Sequence, residues 1–123
     1  MSAYRDLTTV EEVEDLMAED AGPVVFDFWS STCGPCRAMA PHFAQVAADF
    51  EGSGVVFAKI QTDRHPELAA PFHIRAVPTL VFAHRGEVLD AVVGAMPAPA
   101  LARKVRWLLD KAEGKGFWAR LFG

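Results

Sequence analysis

The chain has only two cysteines among its 123 residues, and both fall in one four-residue stretch. That leaves no framework of disulfide staples, so the fold must rest on a hydrophobic core. No uninterrupted apolar run approaches the roughly 18 residues of a membrane span. The first residues, Met1-Ser2-Ala3-Tyr4-Arg5-Asp6, carry no apolar signal core. The expectation is therefore a cytoplasmic protein without an integral membrane segment. Basic charge is scarce too: the net charge is −4, which argues against nucleic acid as a partner. The four histidines (His42, His65, His73 and His84) lack the His-x₃₋₅-His spacing that would complete a zinc site with two cysteines. No metal is expected.

What the chain does have is apolar mass, 51% of its residues, in a length that suits one domain. The charge is unevenly spread. Residues 1–20 carry Asp6, Glu11, Glu12, Glu14, Asp15, Glu19 and Asp20 against Arg5 alone, whereas residues 101–123 carry six bases against Asp110 and Glu113. Two solvated helical faces of opposite sign account for this pattern.

Periodicity supplies the elements. Ala3–Leu7 reads as a weak strand. Thr8 and Thr9 both have capping-box spacing to a glutamate, and Val10, Val13, Leu16 and Met17 follow as a helical stripe. Pro23–Trp29 is a buried strand, and from Pro35 to about Phe50 the chain reads as a core-facing helix through Met39, Phe43, Val46 and Ala47. Pro41 lies inside that helix and should kink it. Val55–Ile60 is a second apolar strand, Pro66–Phe72 a short helix, and Leu80–Ala83 a third strand opened by Ala76-Val77-Pro78-Thr79. His84-Arg85-Gly86-Glu87 reads as a hairpin turn into Val88–Val93. A final helix presents Leu101, Val105, Leu108, Leu109 and Ala112 on one face and stops at Gly114. Strands and helices alternating in this way predict an α/β fold, three layers with a mixed sheet of four to five strands at the centre.

The chemistry points to Cys33-Gly34-Pro35-Cys36. This stretch joins the apolar strand to the long helix, which puts the first sulfur at a helix N-terminus. Unpaired backbone N–H groups and the helix dipole there favour a thiolate over a thiol. The second sulfur, three positions on, shares that helical face and lies within reach of a disulfide. Pro35 suits the first turn, where its missing N–H would be unpaired anyway. The pair is a dithiol/disulfide exchange site, with Cys33 as the attacking nucleophile and Cys36 as the resolving thiol. Asp27 is the one polar residue in its strand. Burial should raise its pKa, suiting a base that takes the proton of Cys36; alternatively it bonds nearby backbone N–H groups. Lys59 is the corresponding oddity on the next strand.

The chain resembles the thioredoxin family. The likeness is carried by Asp27-Phe28-Trp29, Cys33-Gly34-Pro35-Cys36-Arg37, Ala40-Pro41, Lys59, Asp63, Val77-Pro78-Thr79 and Val92-Val93-Gly94-Ala95. A domain over 1–113 followed by an aromatic segment over 114–123 is the division this suggests. The resemblance implies the thioredoxin fold, a protein-disulfide reductase serving electron transport and cell redox homeostasis, and no cofactor. Its partners would be disulfide-containing protein substrates and a thioredoxin-reductase-like electron donor. It implies that Lys59 lies near Asp27, where its charge would oppose the burial shift, rather than extending past the strand edge. It also implies a cis Pro78 beside the sulfurs, with the Val77 backbone open to substrate; without it, a trans proline opening a strand reads equally well. Trp29, Gly34, Pro35 and Gly94 complete the substrate-binding surface by the same likeness, although Trp29 also reads as a core residue.

The departures are Ser30-Ser31-Thr32, where the family carries a tryptophan immediately before the first cysteine, and Ala76 where glycine is common. They bear on which partners dock. A second function class is a redox-dispensable binding module, a co-chaperone or assembly factor on the same fold. The segment 114–123, with Phe117, Trp118, Leu121 and Phe122, is expected to contact its own domain, a protein partner or a second copy.

Overall fold

The computed structural model describes residues 3–114. The aromatic segment expected beyond the domain therefore lies, from residue 115 onward, outside the described residues. The elements in chain order are β1 (Arg5–Asp6), α1 (Val10–Leu16), β2 (Pro23–Trp29), α2 (Gly34–Asp49), β3 (Val56–Gln61) and α3 (Pro66–Ala69). A 3₁₀ turn (Ala70–Phe72), β4 (Thr79–His84), β5 (Glu87–Val93) and α4 (Ala98–Ala112) follow. The five strands form one sheet in the order β1-β3-β2-β4-β5. β1 and β2 run parallel to β3, whereas β4 is antiparallel to both β2 and β5. This is the three-layer α/β/α arrangement with a mixed sheet that the element order predicts.

β2 is central because its side chains are apolar on both faces. Val25, with Phe57, Leu80 and Phe82, packs under α2 and α4 against Met39, Phe43, Val46, Leu101, Val105 and Leu108. Val24, Phe26 and Phe28 point the other way, against Leu68, Ala69 and the half-buried Leu16, Met17 and Phe72. A strand with two buried faces reads as a continuous apolar run, which is why Pro23–Trp29 stood out in the sequence.

Local chemistry sets the boundaries. Thr9 caps α1 in a full capping box: its hydroxyl accepts from the Glu12 N–H, and the Glu12 carboxylate accepts from the Thr9 N–H. Those bonds, led by the one from the Thr8 backbone, hold the Glu12 pKa below its ordinary value. Arg85 (φ 53°) and Gly86 (φ 78°) turn the β4–β5 hairpin in two residues. A Cβ at Gly86 would sit 2.6 Å from the Met17 carbonyl oxygen, so the turn packs closely on the end of α1. Gly114, at φ 70°, ends α4 as expected.

Some expectations shift. The first strand is two residues, not five, and the third begins at Thr79, leaving Ala76–Pro78 as loop. α2 spans Gly34–Asp49 with Pro41 inside it, as expected. Val10, expected in the buried stripe, is 43% exposed, and Met17 is half-buried, because α1 spans only seven residues and leaves part of its sheet face uncovered.

Candidate active site

Cys33 is the N-cap residue of α2, in extended conformation, and its Sγ accepts the Cys36 N–H at 3.1 Å. The helix thus directs an otherwise unpaired backbone donor at this sulfur. Cys33 and Cys36 are joined as a disulfide. They differ in access: Cys33 is half-buried at the surface, whereas Cys36 is 2% exposed. Gly34 and Pro35 between them are exposed, and Gly34 has nothing within 4 Å of where a Cβ would stand. The surface beside the sulfurs is consequently open.

The opposite wall is the loop before β4. The Val77–Pro78 peptide is cis, and the Val77 carbonyl oxygen lies 3.6 Å from Cys33 Sγ. Gly94, at φ 108°, holds the loop from the far side by donating its N–H to the Pro78 carbonyl at 2.8 Å. Most L-residues strain at such a φ, which gives Gly94 a structural reason to be glycine. Thr79 Oγ1 donates to the Ala76 carbonyl at 2.6 Å and closes the same loop.

Asp27 lies in β2, the strand that leads to the dithiol. It is 1% exposed, and its Oδ1 is buried with no hydrogen-bond partner among the described residues. Desolvation pushes its pKa up to about 6, with the Lys59 charge pulling the other way. The two residues pair directly across β2 and β3. Lys59 does not extend free of the strand: its Nζ stands 4.9 Å from the Trp29 ring centroid and 5.3 Å from that of Tyr4. Trp29 therefore packs against Lys59, and its carbonyl accepts from both the N–H and the hydroxyl of Thr62.

One group was only partly legible from sequence. Ser31 donates its N–H and hydroxyl to Asp63, at 3.3 and 2.6 Å, while Arg37 donates to the Ser31 carbonyl at 3.0 Å. The Ser31 hydroxyl bond is the main reason that the Asp63 pKa lies below its ordinary value. Asp63 and Arg37 both belong to the family likeness, but nothing in the spacing showed that Ser31 joins them. The three residues fasten the loop leading into Cys33. Next to it, Ser30 and Thr32 bond through their hydroxyls at 3.2 Å. His42 caps another helix: its Nδ1 accepts the Ala98 N–H at 3.0 Å at the start of α4. Among the described residues no group of three or more histidine, cysteine, aspartate or glutamate side chains could hold a metal ion.

A CxxC disulfide at the head of the helix that follows a central strand, facing a cis-proline loop, defines a thiol-disulfide exchange protein on an α/β/α sheet. The thioredoxin family model matches residues 6–107, and the chain belongs to the thioredoxin family. Thioredoxin 1 of a Nostoc strain is 37% identical over 103 residues, covering 84% of this chain and 94% of that relative. A thioredoxin of a Synechocystis strain is 38% identical over 102 residues, with coverages of 83% and 94%. Among solved structures, thioredoxin from Trypanosoma brucei brucei superposes with a TM-score of 0.75 at 30% identity, covering 85% of this chain and 89% of that one. The protein is accordingly a protein-disulfide oxidoreductase working by dithiol/disulfide exchange through Cys33 and Cys36. No helix among the described residues is long and apolar enough to cross a membrane.

Proposed function

We propose that the protein runs as a reductase in the cytoplasm, passing electrons from a thioredoxin-reductase-like donor to disulfides of other proteins and so serving redox homeostasis. The observation that carries the assignment of roles is the unequal access of the two sulfurs, one half-buried and the other 2% exposed. The Cys33 thiolate attacks one sulfur of a substrate disulfide, forming a mixed disulfide and releasing the other substrate sulfur as a thiolate. Cys36 then gives its proton to Asp27 and attacks Cys33 Sγ. The second substrate thiolate leaves, the Cys33–Cys36 disulfide forms, and two electrons have passed to the substrate. The proton on Asp27 goes on to solvent or to a departing thiolate.

A carboxylate whose pKa is about 6 suits that task, since it can take up and return a proton near neutral pH. Lys59 opposes the shift and keeps the carboxylate from staying protonated. The exposed Gly34 and Pro35, the Val77 carbonyl, Pro78 and Gly94 form the bed for an extended substrate strand, with Trp29 beside it. The Ser30–Thr32 loop, held by Asp63 and Arg37, replaces the bulk of a tryptophan and favours partners that need less aromatic contact there.

Trapping tests the roles. A Cys36→Ser variant mixed with oxidised insulin should accumulate a mixed disulfide through Cys33, and Cys33→Ser should accumulate none. Insulin reduction driven by dithiothreitol should stay at background for Cys33→Ser. Trapping through Cys36 instead, or full activity of Cys33→Ser, would overturn the assignment. The direction is read from the reduction potential against glutathione, where a strongly oxidising value would reverse it.

A further inference from the structure

Lys59 occupies the middle of a row that crosses three adjacent strands. Its register partner on β2 is Asp27, and its register partner on β1 is Asp6. Register partners project to the same side of a sheet. A buried carboxylate, a half-buried ammonium and an exposed carboxylate therefore stand side by side. The flanking residues place the ammonium between the outer two strands. Tyr4 stands two positions before Asp6, and Trp29 two positions after Asp27, so both share this face. The Lys59 Nζ lies 5.3 Å from the Tyr4 ring centroid and 4.9 Å from that of Trp29. Among the described residues it closes an ion pair with neither carboxylate. Asp6 and Lys59 also open onto one cavity of about 540 Å³.

We propose that Asp6 is a positioning residue, drawing the Lys59 ammonium toward the exposed end of the row and so limiting how fully that charge reaches Asp27. The proposal deepens the reading of Asp27 as proton acceptor for Cys36, and rests on it.

The charges around the row leave this role to Asp6. Arg64 and His65 line the same cavity, and both are cations or potential cations, with His65 Nδ1 3.5 Å from Glu67. On β4, the partner of Asp27 is the apolar Leu80, and α2 and α4 add apolar side chains to the core of this face. Farther along it, Lys104 pairs with Asp90, and His42 accepts the Ala98 N–H. Asp6 is thus the carboxylate that faces Lys59 opposite Asp27. Burial raises the Asp27 pKa to about 6 and Lys59 pulls it down. Asp6 adds a like charge to the row and competes for the cation, and both effects favour protonated Asp27.

The Asp27 carboxyl carbon, followed by NMR titration of the oxidised full chain, tests this without interference from the thiols, which are joined in that form. Asp6→Asn, near-isosteric at an exposed position, should lower the Asp27 midpoint by about half a unit, roughly threefold in proton affinity. Asp6→Glu should keep it near the parent value. In a Lys59→Met background the Asp6→Asn shift should shrink, because the cation through which Asp6 acts is gone. An unmoved or raised midpoint in folded Asp6→Asn overturns the proposal, and Asp6 would then be engaged by Arg64 or His65. Equal shifts with and without Lys59 overturn it too, since Asp6 would then act directly on Asp27. The inflection of disulfide reduction should move with the midpoint in Asp6→Asn. A midpoint that moves while the inflection stays would instead sink Asp27 as the proton acceptor, so the two failures are told apart.

Discussion

The two faces of the sheet are built to different standards. One is covered by α2 and α4, of 16 and 15 residues; the other by α1 and α3, of seven and four residues, with a single 3₁₀ turn. Beneath α2 and α4 the core closes over Phe43, Phe57, Phe82, Leu101 and Leu108, each at most 2% exposed. These helices are also linked to each other and to the sheet: His42 caps α4 from α2, and Lys104 pairs with Asp90 while its Nζ lies 3.9 Å from the Trp107 ring centroid. Beneath α1 and α3 the cover runs out before β5, and Val88 and Val93 stay exposed there, lining with Val10 an apolar groove of about 700 Å³. The long-helix face carries the dithiol, because Cys33 and Cys36 sit at the head of α2. Fixing a nucleophile's geometry requires rigid packing, whereas a docking surface requires unburied apolar area. The molecule keeps rigid packing and unburied apolar area on opposite faces of one sheet.

The largest effect that would sharpen this contrast is a cavity on each side. Phe43 is fully buried and stacks edge-on with Tyr4 and Phe57 at 6.0 and 5.7 Å between centroids. Phe43→Ala should cost about 3–5 kcal/mol. Phe72, half-buried against Phe26 and Phe28, should lose clearly less on the same change, since its site is already partly open to water. Urea unfolding of both variants measures this, and equal losses would abolish the distinction.

Next comes the charge placed inside the rigid face. The folded pKa of Asp27, about 6, lies above its ordinary 3.8, so the folded state holds an extra proton between these values. Stability therefore falls as pH rises through that window, and the penalty is complete above about pH 6. Asp27→Asn should match the parent near pH 4 and exceed it at pH 8 by up to about 3 kcal/mol, the equivalent of the two-unit shift. The same variant should lose the inflection near pH 6 in disulfide reduction. A parallel stability profile would mean that the carboxylate is solvated in solution.

Much of this was legible in the sequence. β2 was readable as a continuous apolar run and α2 by its helical period, and the CGPC motif fell between them with its chemistry attached. Asp27 and Lys59 stood out as polar interruptions of apolar strands, which is what charges placed inside a sheet look like in a linear chain. Short elements were less readable. The stripe Val10, Val13, Leu16 and Met17 has the right spacing for a buried face, but whether a face is covered depends on what the topology places opposite it. The edge position of β5 and the brevity of α3 leave Val10 exposed, and neither follows from α1 itself. The Ser31–Asp63–Arg37 contacts and the His42 cap escaped for a related reason. They join residues 32, 6 and 56 positions apart, with no periodic signature.

A smaller effect tests how α1 stays formed with so little packing. A seven-residue helix is far below the length that is stable alone in water, and Val13 is its one fully buried residue. Its capping box must then carry a large share of its stability. Thr9→Ala should cost about 1 kcal/mol and increase hydrogen exchange selectively over Val10–Leu16. Uniform loss of protection across the sheet would show that α1 unfolds only with the whole domain.

The smallest effect expected is at Val93, the most exposed of the three groove valines and the one nearest the active site. Val93→Thr keeps the β-branched shape that a strand favours and exchanges one methyl for a hydroxyl on a side chain already in water. Its stability should stay within about 0.5 kcal/mol of the parent, the range for surface substitutions away from special features. The corresponding change at Val88, which is 45% exposed against 68% at Val93, should cost more than at Val93. Equal costs at the two positions would place both in the same environment, and the open face would be uniform along its length.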